Sequence, residues 1–124
     1  MPEPLFIYGT LHPDRAPAEI ASAVAQLRSI GPATLRGRLL NLGAYPGLML
    51  PGDETIHGEL FALPEADESS VWTQLDAYED FRPESPETSL FLRVLTRVAL
   101  PDGGARAAWV YLFNPFNART PPDA

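Results

Sequence analysis

The stretch LFLRVLTRVALPDGGARAAWVYLF, residues 90–113, decides the fold. Two runs rich in β-branched and aromatic residues flank Pro101-Asp102-Gly103-Gly104, the composition of a tight turn between antiparallel strands. Because side chains alternate across a strand, Arg93 and Arg97 share one face of the first run. Trp109, Tyr111 and Phe113 share one face of the second. Faces of this kind either pack across the strands under a solvated edge or, in the case of Tyr111, line a pocket.

Toward the N-terminus the signals are shorter. Leu5-Phe6-Ile7-Tyr8 is an apolar run closed by Gly9, the pattern of a buried strand ending in a turn. Pro13 and Pro17 make a loop of 12–17, and Ile20, Ala23, Val24 and Leu27 recur at helical spacing over 18–30, where Gly31-Pro32 stops the pattern. A strand is expected over 34–42, with Gly37 marking a bulge, a bend or a close backbone approach. Short strands are expected at 48–50 and 56–63, separated by a hairpin-like turn at Pro51-Gly52-Asp53. A helix follows over 67–79, with Asp67 as its N-cap and Glu68 in its positive first turn. Residues 82–88 read as loop, and 114–124, with Pro115, Pro121 and Pro122, as a draped or frayed tail. Short strands without regular helix alternation argue against a doubly wound sheet. They predict an α+β fold, a small mixed barrel-like sheet with helices outside it, in a single domain of residues 1–113 followed by the tail.

Composition narrows the chemistry. At 124 residues with 45% apolar content, the chain can close one core unaided. All nine of its Lys and Arg residues are Arg, so a lysine Schiff base and a lysine-bearing phosphate loop are excluded. Without Cys there is no thiol nucleophile, disulfide or cysteine-ligated zinc. The two histidines, His12 and His57, lie far apart and outside any ligand motif, so neither metal nor cofactor is expected. A net charge of −7 with scattered Arg residues opposes nucleic-acid binding. The absence of an apolar run approaching ~18 residues, and of a basic region followed by an apolar one, predicts a cytoplasmic protein without a membrane partner. Nothing in the chain demands more than a monomer.

Glu79 breaks the pattern of its own helix. Trp72, Leu75 and Glu79 follow one another at spacings of three and four along one apolar stripe, which Val71 and Tyr78 widen. A carboxylate on a face meant for the core is a conflict of levels that tends to mark function. The negative end of the helix and nearby aromatic rings both disfavour its ionised form, moving it toward the strength of a general base. The alternative is a solvated acid that caps the helix and pairs with Arg82 or Arg93. A second candidate is the turn Tyr8-Gly9-Thr10-Leu11. There a glycine admits a ligand close to the backbone, successive N–H groups can cradle an anion, and Thr10 adds a hydroxyl. By itself such a turn is ordinary.

Taken in order, these segments resemble the gamma-glutamylcyclotransferase-like family, of the gamma-glutamylamine cyclotransferase type. Phe6-Ile7-Tyr8-Gly9-Thr10-Leu11 is similar to its opening strand and turn, Gly58-Glu59-Leu60-Phe61 to its central strand, and Leu75-Asp76-Ala77-Tyr78-Glu79 to its Leu-Asp-x-aromatic-Glu segment. Phe91-Leu92-Arg93-Val94 follows as the family's next strand does, and Tyr45-Pro46-Gly47 and Ala108-Trp109-Val110-Tyr111 also fall in place. The resemblance implies a small barrel with flanking helices. It also implies a pocket beside the first turn for a small γ-glutamyl substrate and release of 5-oxoproline without a cofactor. Glu79 would be the proton acceptor, with Tyr8, Gly9, Thr10, Leu11, Arg93 and Tyr111 around the substrate. Two departures stand out: Asp80 where the family has Gly, and Phe91 where it has Tyr. They keep open a second reading, a small-molecule binding module on the same fold with weak or absent catalysis. A third reading is an interaction protein using the fold as a scaffold.

Overall fold

In a computed structural model, which describes residues 3–8, 18, 20–41 and 46–114, five strands close into a barrel in the order β1-β3-β2-β4-β5. They are β1 (Leu5–Ile7), β2 (Arg28–Asn41), β3 (Pro46–Ala62), β4 (Phe91–Ala99) and β5 (Ala105–Phe113). Two helices, α1 (Ala21–Val24) and α2 (Glu68–Tyr78), complete the α+β architecture. The hairpin predicted at 90–113 is present, with β4 and β5 paired in unbroken register from Phe91↔Phe113 to Ala99↔Ala105. Closure runs through thin seams. Thr34 of β2 pairs with Ala99 of β4, and Leu5 of β1 lies parallel to Trp109 of β5, whose N–H donates to the Pro4 carbonyl at 2.8 Å. No helix among the described residues is long and apolar enough to cross a membrane.

Strand alternation divides the apolar residues into two layers. Phe6, Ala33, Leu35, Leu48, Ile56, Leu60, Val98, Ala108 and Val110 fill the barrel. Leu5, Ile7, Phe61, Phe91, Tyr111 and Phe113 point out from the same strands and meet Val71 and Leu75 of α2, and Ala23 and Val24 of α1. Leu75 is fully buried, which stabilises the docking of α2 by about 2 kcal/mol. A side chain on Gly58 of β3 would lie 2.6 Å from both the Ile7 carbonyl oxygen and the Phe6 ring, so the bare backbone there is what lets β1 sit down on β3.

Two expectations are corrected. The helix expected over 18–30 is a single turn, and residues 28–30 already belong to β2. The apolar spacing was a true sign of burial, since Ile20, Ala23, Val24 and Leu27 are all in the core. Arg28 and Ser29, however, pair with Ala62 and Phe61 of β3, and the ladder outcompetes the helix. Pro51-Gly52-Asp53 is not a turn between strands. β3 runs continuously from Pro46 to Ala62, and residues 50–53 bulge out where Gly37↔Glu54 is followed by Arg38↔Met49. Gly37 and Gly52 meet at this bulge, where a Cβ on Gly52 would sit 2.2 Å from the Gly37 carbonyl carbon. Gly9, Thr10 and Leu11, where a turn is expected, together with His12, Tyr45 and the segment from Pro115 onward, lie outside the described residues.

Candidate functional site

The end of α2 is shaped by its backbone. Glu79 is the C-cap, its N–H bonded to the Leu75 carbonyl at 3.0 Å. Asp80 follows with φ 59°, its N–H reaching Ala77 O at 3.2 Å, and Phe81 N–H reaches Asp76 O at 2.8 Å. This paired pattern terminates a helix with one residue in the left-handed region, where Gly is the unstrained choice. It gives a backbone account of the Gly-to-Asp departure at residue 80. The strand after it is anchored by Leu90 N–H on Asp80 O at 3.0 Å and by Asn114 N–H on Leu90 O at 2.9 Å. Buried Ser89 accepts the Arg82 N–H at 2.7 Å, which ties the intervening loop down.

With α2 packed by Val71 and Leu75, the Glu79 carboxyl group is carried inward although the residue keeps partial contact with solvent. Burial pushes its pKa from 4.5 up to about 7. Of the solvated alternative, the helix cap is present but neither ion pair forms. Arg82 is 3.6 Å from Asp80 and Arg93 is 2.9 Å from Asp76, and no ion pair forms at Glu79 among the described residues. Two phenols feel its charge. Tyr8, directly after β1, and Tyr111, on β5, are both pushed above the usual tyrosine range, first by burial and more weakly by Glu79. For Tyr111 the neighbouring Asp76 is the larger of the two acids.

A hydrogen-bond network ties these elements together. The Tyr8 hydroxyl donates to the Tyr111 carbonyl at 3.0 Å and accepts the Leu48 N–H at 3.2 Å, joining the start of the site to β5 and β3. The Tyr111 hydroxyl donates to Asp76 Oδ1 at 2.7 Å. Arg93 grips the same carboxylate with Nε at 2.9 Å from Oδ1 and Nη2 at 3.1 Å from Oδ2. Its guanidinium lies 4.2 Å from the Trp72 ring centroid and 5.0 Å from that of Trp109. The two indoles meet edge to face at 6.2 Å.

The structure therefore brings Glu79, Tyr8, Tyr111 and Arg93 to one end of α2, from four segments distant in sequence. Nε and Nη2 of Arg93 and the hydroxyl of Tyr111 are engaged with Asp76. Phe91, where the resemblance leads one to expect a hydroxyl, is buried and stacks edge to face on Phe113 at 6.0 Å. The sequence pattern does not single out Asp76. The available signal was its position three residues before Glu79, on a helix face otherwise committed to the core.

Comparison with known proteins agrees with this architecture. The family described as gamma-glutamyl cyclotransferase, AIG2-like, matches residues 5–123. Among solved structures, an AIG2-like protein from Mus musculus superposes with a TM-score of 0.68 at 18% identity, covering 98% of this chain and 80% of that one. YkqA from Bacillus subtilis gives 0.65 at 26% identity, covering 92% of this chain and 36% of that one. A gamma-glutamyl cyclotransferase gives 0.60 at 14% identity, covering 90% of this chain and 66% of that one. The chain thus spans about a third of YkqA and about two thirds of that cyclotransferase, and the matches at lower identity establish the fold. No curated protein matches the sequence.

Proposed function

Because the chain belongs to the gamma-glutamyl cyclotransferase, AIG2-like family, we propose that it releases 5-oxoproline from a small γ-glutamyl amine or γ-glutamyl amino acid, with Glu79 as the general base. The observation that carries this reading is the desolvated carboxyl of Glu79 at the end of α2, with a pKa raised to about 7 and a charge felt by Tyr8, the residue directly before Gly9. Such a group is about half ionised at neutral pH, so it can both take and return a proton.

The chemistry needs little else. The α-ammonium of a γ-glutamyl group loses a proton to Glu79, and the freed amine attacks the side-chain carbonyl carbon of the same molecule. The C–N bond to the attached amine then breaks as the proton held by Glu79 passes to that leaving group. The ring nitrogen sheds its second proton to the freed Glu79 carboxylate, which hands it on to the released amine, so the products are the neutral lactam and an ammonium. The ring closed is a five-membered lactam. Because the nucleophile is intramolecular, holding the folded substrate supplies the orientation. Backbone N–H groups of Gly9, Thr10 and Leu11 are assigned to the substrate's carboxylate or to the developing oxyanion. Arg93 and Tyr111 wall the site from β4 and β5.

Incubation with γ-glutamyl amino acids and γ-glutamyl-ε-lysine, followed by detection of 5-oxoproline, tests the proposal. Turnover by the wild type and its loss in Glu79→Gln, with binding retained, is the expected result. Normal turnover by that variant would remove Glu79 from the mechanism. Binding without turnover by the wild type would favour the binding-module reading.

A further inference from the structure

The two hydroxyl groups on which the Glu79 charge acts both commit their protons elsewhere. A phenol has one proton to give. That of Tyr8 goes to the Tyr111 carbonyl at 3.0 Å, and that of Tyr111 goes to Asp76 Oδ1 at 2.7 Å. Asp76 is 7% exposed, and both of its oxygens are fixed by the Arg93 fork. The Arg93 guanidinium is itself packed against Trp72 and Trp109, which steadies the carboxylate that receives the Tyr111 proton. Donation to a carboxylate stabilises its ionised form. A phenol swung toward Glu79 would therefore weaken it as a base, and this packing directs both phenols to other acceptors.

Resting on the reading of Glu79 as the base, we propose that Asp76 and Arg93 are positioning residues that hold the Tyr111 hydroxyl proton turned away from the Glu79 carboxylate. Among the described residues, the charged and titratable groups near the end of α2 are Tyr8 after β1, Arg93 on β4, Tyr111 on β5, Asp76 and Tyr78 on α2, and Asp80 and Arg82 beyond it. Removing Asp76 alone would also strip a negative charge and leave the Arg93 cation uncompensated, which lowers the Glu79 pKa by a separate route. The discriminating variant is Asp76→Leu/Arg93→Met, which deletes both charges together and frees the phenol. Replacing a buried ion pair by apolar side chains of similar size is generally tolerated.

The readout is a carboxyl-carbon NMR titration of Glu79 in the whole protein, assigned by loss of the signal in Glu79→Gln. It reports on Glu79 whether or not 5-oxoproline is formed, so failure of the functional reading and failure of this one are separate results. In the double variant the Glu79 midpoint should fall by about one unit or more, as expected for one added hydrogen bond to a carboxylate. Adding Tyr111→Phe should bring it back toward 7. A double variant that titrates like the wild type, or a fall that survives Tyr111→Phe, overturns the proposal. Should the double variant not fold, Tyr111→Phe alone decides. An unchanged midpoint is expected, whereas a rise would show that the hydroxyl had been donating to Glu79 and would overturn the proposal.

Discussion

Replacing Glu79 with Gln should abolish proton transfer and, above neutral pH, make the protein more stable. The unfolded chain ionises this carboxyl near 4.5 and the folded chain near 7, so between those values the folded state binds the extra proton. Stability from this group is therefore complete below 4.5, declines as pH rises toward 7, and is lost above it. At full burial that gap corresponds to about 3 kcal/mol. The partial exposure of Glu79 screens its charge, leaving about 2 kcal/mol. Gln keeps the shape and never ionises, so the variant escapes this cost. For a domain of this size, about 2 kcal/mol raises Tm by about 6–10 °C. Thermal unfolding followed by circular dichroism at pH 4, 6 and 8 should show wild type and variant coinciding at the lowest pH and separating in favour of the variant as pH rises. A gap that is constant with pH, or a variant less stable than wild type at pH 8, would mean that the carboxylate is well solvated, and the argument for a desolvated base would fail with it.

The same group sets the pH dependence of activity. kcat/KM should rise through an apparent pKa near 7 and level off above it, losing about tenfold per unit below; a limb near 4.5 in steady-state 5-oxoproline assays would contradict the assignment. Asp80→Gly should relieve the left-handed backbone at φ 59° and stabilise the fold by about 1 kcal/mol, less the small contribution of the exposed Arg82 contact. Urea unfolding at neutral pH measures this, and a loss of stability would refute the backbone account. Gly58→Ala should cost about 2–3 kcal/mol by forcing β1 away from β3, with activity reduced because Tyr8 continues from β1; wild-type stability in urea would show that the Ile7 and Phe6 contacts give way easily.

Local pattern determined a good deal. Alternation and turn chemistry in 90–113 were enough for the β4–β5 hairpin, because both are properties of neighbouring residues. The apolar stripe of α2 located Glu79 on the buried side for the same reason, and the order of short motifs identified the family. The extent of β2 and β3 was not legible. Arg28 and Ser29 are strand residues only because Ala62 and Phe61 lie opposite them, and Pro51-Gly52-Asp53 is a bulge only because β2 continues to pair on both sides of it. Likewise, the sequence offered Arg82 and Arg93 as partners for Glu79, but the packing gave them to Asp80 and Asp76. Pairing register and ion-pair choice depend on groups distant in sequence and brought together only when the barrel closes. The sequence alone thus determined which carboxylate stands out and on what kind of fold. Only the tertiary structure decided that it would be largely desolvated and, among the described residues, without an ion-pair partner, because desolvation is a property of everything packed around a group.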